Sequence, residues 1–319
     1  MHVKIKLFYH MYRIRAVEEK IAQLYPQGQM RCPVHLSIGQ ESIPAVFAEC
    51  VRPTDFAVST HRGHAHYLAK GGNLNAMIAE IYGKATGCAK GKGGSMHLVD
   101  LGVNFIGTSA IVGNSIPIGV GLALSSQLKG TDQVSCVFLG DGAVEEGVFY
   151  ESVNFAVVRN LSVLFICENN LYSVYSPLAV RQPKGRSIAD MVAAMGIVTA
   201  SSDGADLVQT GQIMQEAFDR IRGGNGPQFL EFSTYRWREH CGHDFDNHLG
   251  YRTEEEFQYW LGRDPLESLT KNLQQDSHDV RQQMEAIKIK VDAEISEAFE
   301  SAAMAPFPAR AEAFEGVYA

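Results

Sequence analysis

Residues 134–172 read VSCVFLGDGAVEEGVFYESVNFAVVRNLSVLFICENNLY, and this stretch decides the fold. An apolar run over 134–139 ends at Gly140-Asp141-Gly142. An acidic and then apolar segment follows, with Val144, Val148, Val153, Ala156 and Val157 near helical spacing. A second apolar run over 161–167 ends at Glu168-Asn169-Asn170. Apolar runs that stop at Gly and Asn turns, with an amphipathic segment between them, predict strand, turn, helix, strand, turn. Such a crossover joins parallel, usually neighbouring strands. Asp141 and Asn170 are therefore expected side by side on one edge of a parallel sheet, where open α/β sheets bind ligands.

Asp141 offers a carboxylate and Asn170 a neutral amide oxygen. Hard oxygen ligands suit Mg²⁺, which keeps water and substrate phosphate in its other positions. Gly142 is expected to open the helix, so that free amides and the positive dipole end face an anion. Its missing Cβ lets a phosphate approach the backbone. Together these parts describe a clamp for Mg²⁺ and a diphosphate. The alternative is a plain tight turn in which GDG is only punctuation; the paired asparagines at the next strand end favour the clamp.

The chain has 319 residues, 45% hydrophobic and 20% charged, an ordinary globular mix. A net charge of −8 argues against nucleic acid, which wants basic faces. No apolar run approaches a membrane span, and the N-terminus has no signal-peptide core. Six scattered cysteines without a CxxC fit a reducing cytoplasm and no disulfides. No repeat or low-complexity segment stands out.

Residues 4–25 predict a helix with Leu7, Met11, Ile14, Val17, Ile21 and Leu24 on one face. Residues 26–40 are loop-like and carry His35. Within 55–72, His61, Arg62, His64 and His66 lie close together. His-x-x-His spacing can hold zinc, but no second cluster completes such a site. The other reading is anion and substrate handling: Arg grips a diphosphate bidentately, and histidines donate protons to a developing alkoxide. Residues 73–82 predict a helix capped by Asn73. GCAKGKGGSMH (87–97) reads as a mobile loop and is not a Walker A. Further helices are expected over 113–127, 190–195 and 206–222, and strands over 196–200 and 228–234. Residues 235–253 are polar and aromatic, with His240, His243 and His248 as an alternative metal set. Residues 254–300 are helical and charged, and AFEGVYA (313–319) is expected as an ordered tail.

GDG, a gap of 26 residues, then Asn169-Asn170 resembles the thiamine diphosphate motif. GCAKGKGGSMH, IVG (111–113) and ENNLYS (168–173) resemble the alpha subunit of thiamine-dependent E1 dehydrogenases, over nearly the whole chain. That group includes the pyruvate, branched-chain 2-oxo acid and acetoin dehydrogenases. The fold it implies is α/β, a parallel sheet with helices on both faces: one thiamine diphosphate-binding domain over 1–319, with a helical extension from 254. The resemblance implies thiamine diphosphate and Mg²⁺ as cofactors, with Asp141, Asn170 and the carbonyl of Tyr172 as metal ligands. It assigns the cofactor to His61, Arg62, Ala110, Val112, Gly140, Asp141, Gly142, Ala143, Asn170 and Tyr172. It assigns His64 and His240 to acid–base work at the reacting carbon and His35 to the substrate. FIGTSAIVG (105–113) resembles the segment that grips the aminopyrimidine through its backbone, with Ala110 where the family often has Gly. Arg62 would contact the diphosphate.

His61 stands where pyruvate-type enzymes have Tyr, and THRGH looks like the acetoin type. The loop 235–253 would fold over the cofactor and recruit a lipoyl carrier (E2). Cys241 and Gly250 replace regulatory serines of the animal pyruvate pattern, so phosphorylation is not available there. No Glu in the chain suits the pyrimidine ring nitrogen, and the family takes it from a beta subunit. The expected assembly is an α₂β₂ heterotetramer acting on a small 2-oxo acid or acetoin in the cytoplasm. Alternatives are half of a split transketolase-like transferase and a non-catalytic homologue.

Overall fold

The computed structural model describes residues 3–315. In chain order its strands are β1 (Phe56–Ser59), β2 (Phe105–Thr108), β3 (Ser135–Gly140), β4 (Val163–Asn169), β5 (Tyr172–Ser173), β6 (Ser176–Pro177), β7 (Val198–Asp203) and β8 (Gln228–Ser233). Six of them form one sheet in the order β2-β1-β3-β4-β8-β7, and every pairing in it is parallel. β5 and β6 make a small antiparallel hairpin.

The central unit forms as the sequence predicts. β3 and β4 are neighbours, with Ser135 opposite Val163 and Gly140 opposite Glu168. Helix Gly147–Val158 lies between them in the chain. Along β3, Cys136 and Phe138 join one core while Val137 and Leu139 join the other. A strand covered on both faces needs such an unbroken apolar run, because successive side chains point to opposite sides. One core is completed by helices that include Val3–Leu24, Ser42–Cys50, Leu207–Arg222 and His278–Met304, the other by Ser115–Lys129, Gly147–Val158 and Ile188–Ala193. Helix Ser115–Lys129 is rich in small residues for a reason: a Cβ on Gly119 would run into the Val137 side chain.

The strand order sets the position of the cleft. From β1 the chain crosses outward to β2, returns to the other side of β1 as β3, and then runs outward to β4. The direction of winding reverses between β1 and β3, and ligands bind at that switch point, beyond the carboxyl ends of the strands.

Several expectations change. Gly142 does not open an α-helix: residues Asp141–Glu145 form a 3₁₀ segment, Glu146 is extended, and the α-helix starts at Gly147. The tighter turn keeps Asp141, Ala143 and Val144 buried directly after the strand. Segment 105–113 begins as edge strand β2. The helical region after 254 is three helices, Glu254–Leu261, Pro265–Gln274 and His278–Met304. Pro265 cannot continue a helix, and Asp264 and Ser277 cap the new starts by accepting Leu266 and Val280 N–H groups. Of the expected tail, only 313–315 fall within the described residues. No helix among the described residues is long and apolar enough to cross a membrane. All six cysteines are free.

Candidate active site

A cleft opens at the switch point, with a volume of about 760 Å³ out to its mouth. Thr60, His61 and Arg62 follow β1, residues 109 and 111–113 follow β2, and Gly140 ends β3 with 141–143 following it. Glu168, Asn170 and Tyr172 come from the β4 end, and Gln40 and His240 from loops. The two motif residues meet as predicted, at the ends of neighbouring strands.

On one wall, Asp141 is 1% exposed. Burial raises the pKa of its carboxyl, and the ion pair with Arg181 opposes that rise. Asn170 donates from Nδ2 to Gln40 Oε1 at 3.1 Å, so Oδ1 is the atom it could offer a metal. That oxygen accepts only the Tyr172 N–H, at 3.2 Å. Carboxylate, amide oxygen and nearby backbone carbonyl form an all-oxygen donor set, which fits Mg²⁺ and not a soft metal. A Cβ on Gly142 would lie 2.8 Å from Ser173 Oγ, so this turn has no room for a side chain. The residues present therefore fit a metal-bound diphosphate.

Across the cleft lies Arg62, fixed by donation to the carbonyls of Leu36 at 2.6 Å and His240 at 3.1 Å. Burial and the nearby Arg236 lower it to about 10, so it stays charged at neutral pH. Around it stand His35, His61 and His240, whose ring nitrogens lie within 4.8 Å of one another. Burial first, then Arg62, holds His35 at about 2, His61 at about 4 and His240 at about 3. All three imidazoles are thus uncharged at neutral pH. His35 Nδ1 is buried without a hydrogen-bond partner. Uncharged imidazoles beside a fixed guanidinium suit a polar substrate oxygen better than a cation.

The trio is assembled by long-range backbone pairing. Gly242 N–H donates to Val34 O at 2.8 Å and Trp237 N–H to Ile38 O at 3.0 Å, which lays loop 235–253 along the His35 segment. The histidine groupings offered by local spacing do not form. His64 is fully buried and does not line the cleft: its Nδ1 meets Glu18 Oε1 at 2.8 Å and its Nε2 meets Ser95 Oγ at 2.7 Å. Helix His64–Ala69 turns His64 into the core, behind the cleft and not on its lining as expected. His66 lies between Ser59 Oγ at 2.7 Å and Glu168 Oε1 at 3.1 Å. Ala110 does not line the cleft, whereas Ile111 and Val112 do.

Sequence reasoning missed Glu80. Its carboxylate accepts the N–H groups of Ala89 and Gly91 at 2.8 Å, Gly93 at 2.7 Å and Gly94 at 3.0 Å. Loop 87–97 is therefore clamped, not mobile as expected, and it delivers Ser95 to His64. A buried acid in an apolar helix just before a glycine-rich run was the available signal, since a carboxylate there needs donors. Glu18, Gln40, Glu168 and Arg181 were also unassigned; each depends on distant partners.

The sequence pattern of the family described as "Dehydrogenase E1 component" matches residues 9–311. The chain is 36% identical to the alpha subunit of acetoin:2,6-dichlorophenolindophenol oxidoreductase from Bacillus subtilis, covering 98% of this chain and 92% of that one. It is 35% identical to the pyruvate dehydrogenase E1 component alpha subunit of Rickettsia felis, covering 98% and 95% respectively. Against the chloroplastic pyruvate dehydrogenase E1 alpha-3 subunit of Arabidopsis thaliana it is 34% identical, over 99% of this chain and 74% of that one. The chain belongs to the dehydrogenase E1 component family of thiamine diphosphate-dependent oxidoreductases, on its alpha-subunit side.

Proposed function

We propose that this chain is the alpha chain of an α₂β₂ enzyme that cleaves a 2-oxo acid or acetoin and passes the fragment to a lipoyl carrier. The observation that carries the reading is one cleft with two chemically distinct walls. Asp141 and Asn170 offer hard oxygens on one side, and Arg62 with uncharged His61 and His240 stands on the other. Asp141, Asn170 Oδ1 and the Tyr172 carbonyl would hold Mg²⁺, while Gly140, Gly142 and Ala143 flank the diphosphate. The backbone near Ala110 and Val112 would hold the aminopyrimidine. When bound, the cofactor supplies a C2 carbanion for addition to a carbonyl and an electron-accepting thiazolium ring.

This chain's residues bind, orient and move protons. Arg62 neutralises phosphate charge, and burial together with its charge keeps the imidazoles unprotonated and able to donate or accept. His61 and His240 can hydrogen-bond the substrate oxygen and stabilise charge developing on it. His35 presents its unpartnered Nδ1 from behind them.

A second chain is supported by what surrounds the cleft. Ile111 and Val112, on its lining, are 68% and 47% exposed, and Ile118 in the following helix is 45% exposed. Such an apolar rim favours cover by a protein partner. Glu168 is engaged with His66, Glu145 is engaged with Arg181 and Gln182, and neither Glu145 nor Glu146 lines the cleft, so none of the three is placed to serve a pyrimidine nitrogen. The six free cysteines are in keeping with the cytoplasm. The test is to co-purify the chain with a beta chain and assay acetoin, pyruvate and branched-chain 2-oxo acids with an artificial electron acceptor. Turnover by the complex and none by the chain alone is expected. Full turnover by this chain alone overturns the two-chain reading.

A further inference from the structure

We infer that Arg181 is a built-in counter-ion: it holds the Asp141 carboxylate while the cleft is empty, and loading exchanges it for a divalent cation. The inference rests on the proposed Mg²⁺ role of Asp141, and it assigns a function to a residue outside both motifs.

The contact is well built. The guanidinium pairs with Asp141 Oδ2, the two side chains being 10% and 2% exposed. Its Nη1 also donates to Glu145 Oε1 at 2.6 Å and its Nε to the Ser176 carbonyl at 3.0 Å. Of the three partners, Asp141 lines the cleft, and Ser176 lies in the hairpin just beyond the lining residues Ser173 and Val174. Mg²⁺ demands oxygen ligands at about 2.1 Å, closer than a guanidinium approaches. Two cations cannot share one buried carboxylate oxygen, because their repulsion is only weakly screened at low exposure. Arg181 and the metal would therefore compete for Asp141 Oδ2, the oxygen that the guanidinium holds. On release, Glu145 and the Ser176 carbonyl remain as partners for the guanidinium.

Arg181 also lies where such an exchange would reorder the chain. It ends the four-residue helix Leu178–Arg181, which follows the β5–β6 hairpin. Leu171 and Val174 around that hairpin have φ of 72° and 55°. A β-branched residue in the left-handed region is strained and persists only when its surroundings hold it. Arg236 Nη2, donating to the Val174 carbonyl at 2.7 Å, and the Arg181–Asp141 pair pin the segment from two sides. Tyr172, whose carbonyl is a proposed ligand, is the first residue of this hairpin. Loading would therefore couple metal binding to the setting of residues 172–181.

The test is calorimetric Mg²⁺ titration at saturating thiamine diphosphate, on the full chain with its beta chain. Arg181→Gln leaves the buried Asp141 without its cation only in the empty state, so Mg²⁺ affinity should rise about tenfold. The thermal midpoint of the empty protein should fall while that of the loaded protein holds. Arg181→Lys keeps the charge and should stay within about twofold of the parent. If Arg181→Gln folds only with cofactor, that requirement is itself the expected result. Weaker Mg²⁺ binding in Arg181→Gln overturns the inference and makes Arg181 a diphosphate ligand; unchanged binding overturns it as well. Asp141→Asn is the separate control. Mg²⁺-dependent binding that survives Asp141→Asn removes the metal reading itself, whatever the Arg181 variants do.

Discussion

Glu18 and His64 form a pair with no solvent access: Glu18 Oε1 lies 2.8 Å from His64 Nδ1, and Glu18 Oε2 accepts the Ser37 N–H at 2.5 Å. One carboxylate from the first helix thus ties the segment carrying His35 to the helix behind the cleft. Glu18→Ala should cost about 3 kcal/mol, since it leaves a buried imidazole and a buried amide unpaired. Urea unfolding would read this as a lowered midpoint with unchanged slope. A loss below about 0.5 kcal/mol would show that water replaces the carboxylate.

Asp141→Ala should abolish Mg²⁺-dependent binding of thiamine diphosphate, because it removes the one charged oxygen of the donor set. Calorimetry with and without Mg²⁺ checks it. Unchanged affinity would move the metal elsewhere.

His240→Gln should lower turnover of the assembled enzyme by about 10²-fold with cofactor affinity nearly intact, the scale of lost proton transfer. His64→Gln differs: as a positioning residue engaged at both nitrogens, it should lower the thermal midpoint more than His240→Gln does. Equal stability losses for the two variants would contradict this division.

Acid should destabilise the fold through the histidine trio. The ordinary imidazole value is about 6.5, and in the folded chain these groups are held at about 2, 4 and 3. Below about pH 6.5 the unfolded chain binds protons that the folded chain refuses, so stability falls as pH falls. Each group contributes at most about 1.4 kcal/mol per pH unit until it titrates in the fold, His61 first near pH 4. Urea midpoints between pH 7 and 5 should decline, and less steeply in His240→Gln. Identical slopes would mean that His240 protonates in the folded state.

Glu80→Ala should free loop 87–97, since four backbone donors lose one acceptor. Limited trypsin digestion should then cut after Lys90 or Lys92, which the parent protein resists. Unaltered resistance would place the loop's order in its glycine turns instead.

Residues 134–172 carried the βαβ unit in one dimension, because periodicity and turn residues are local signals. Short apolar runs bounded by Gly and Asn turns on either side of a helical pattern fit strands covered on both faces, and a right-handed crossover between neighbours sets Asp141 beside Asn170. The family was legible because its motifs are contiguous stretches, GDG and ENN at the ends of those strands and GCAKGKGGSMH and IVG in loops elsewhere. Other features depended on pairings that local sequence does not encode. His35 and His240 meet because backbone hydrogen bonds lay one loop along another, and no spacing rule relates them. His64, from the same short segment as His61 and Arg62, points into the core because the helix begins at His64, while His61 and Arg62 precede it in the turn after β1. Glu80 and Arg181 found their partners only once the chain had folded, at distances fixed by the sheet and its packed helices. The sequence by itself determined the central βαβ unit, the motif pair and the family. Tertiary structure decided which histidines share the cleft, which carboxylate organises the glycine loop and which cation sits on Asp141, because burial and electrostatic pairing act through space and not along the chain.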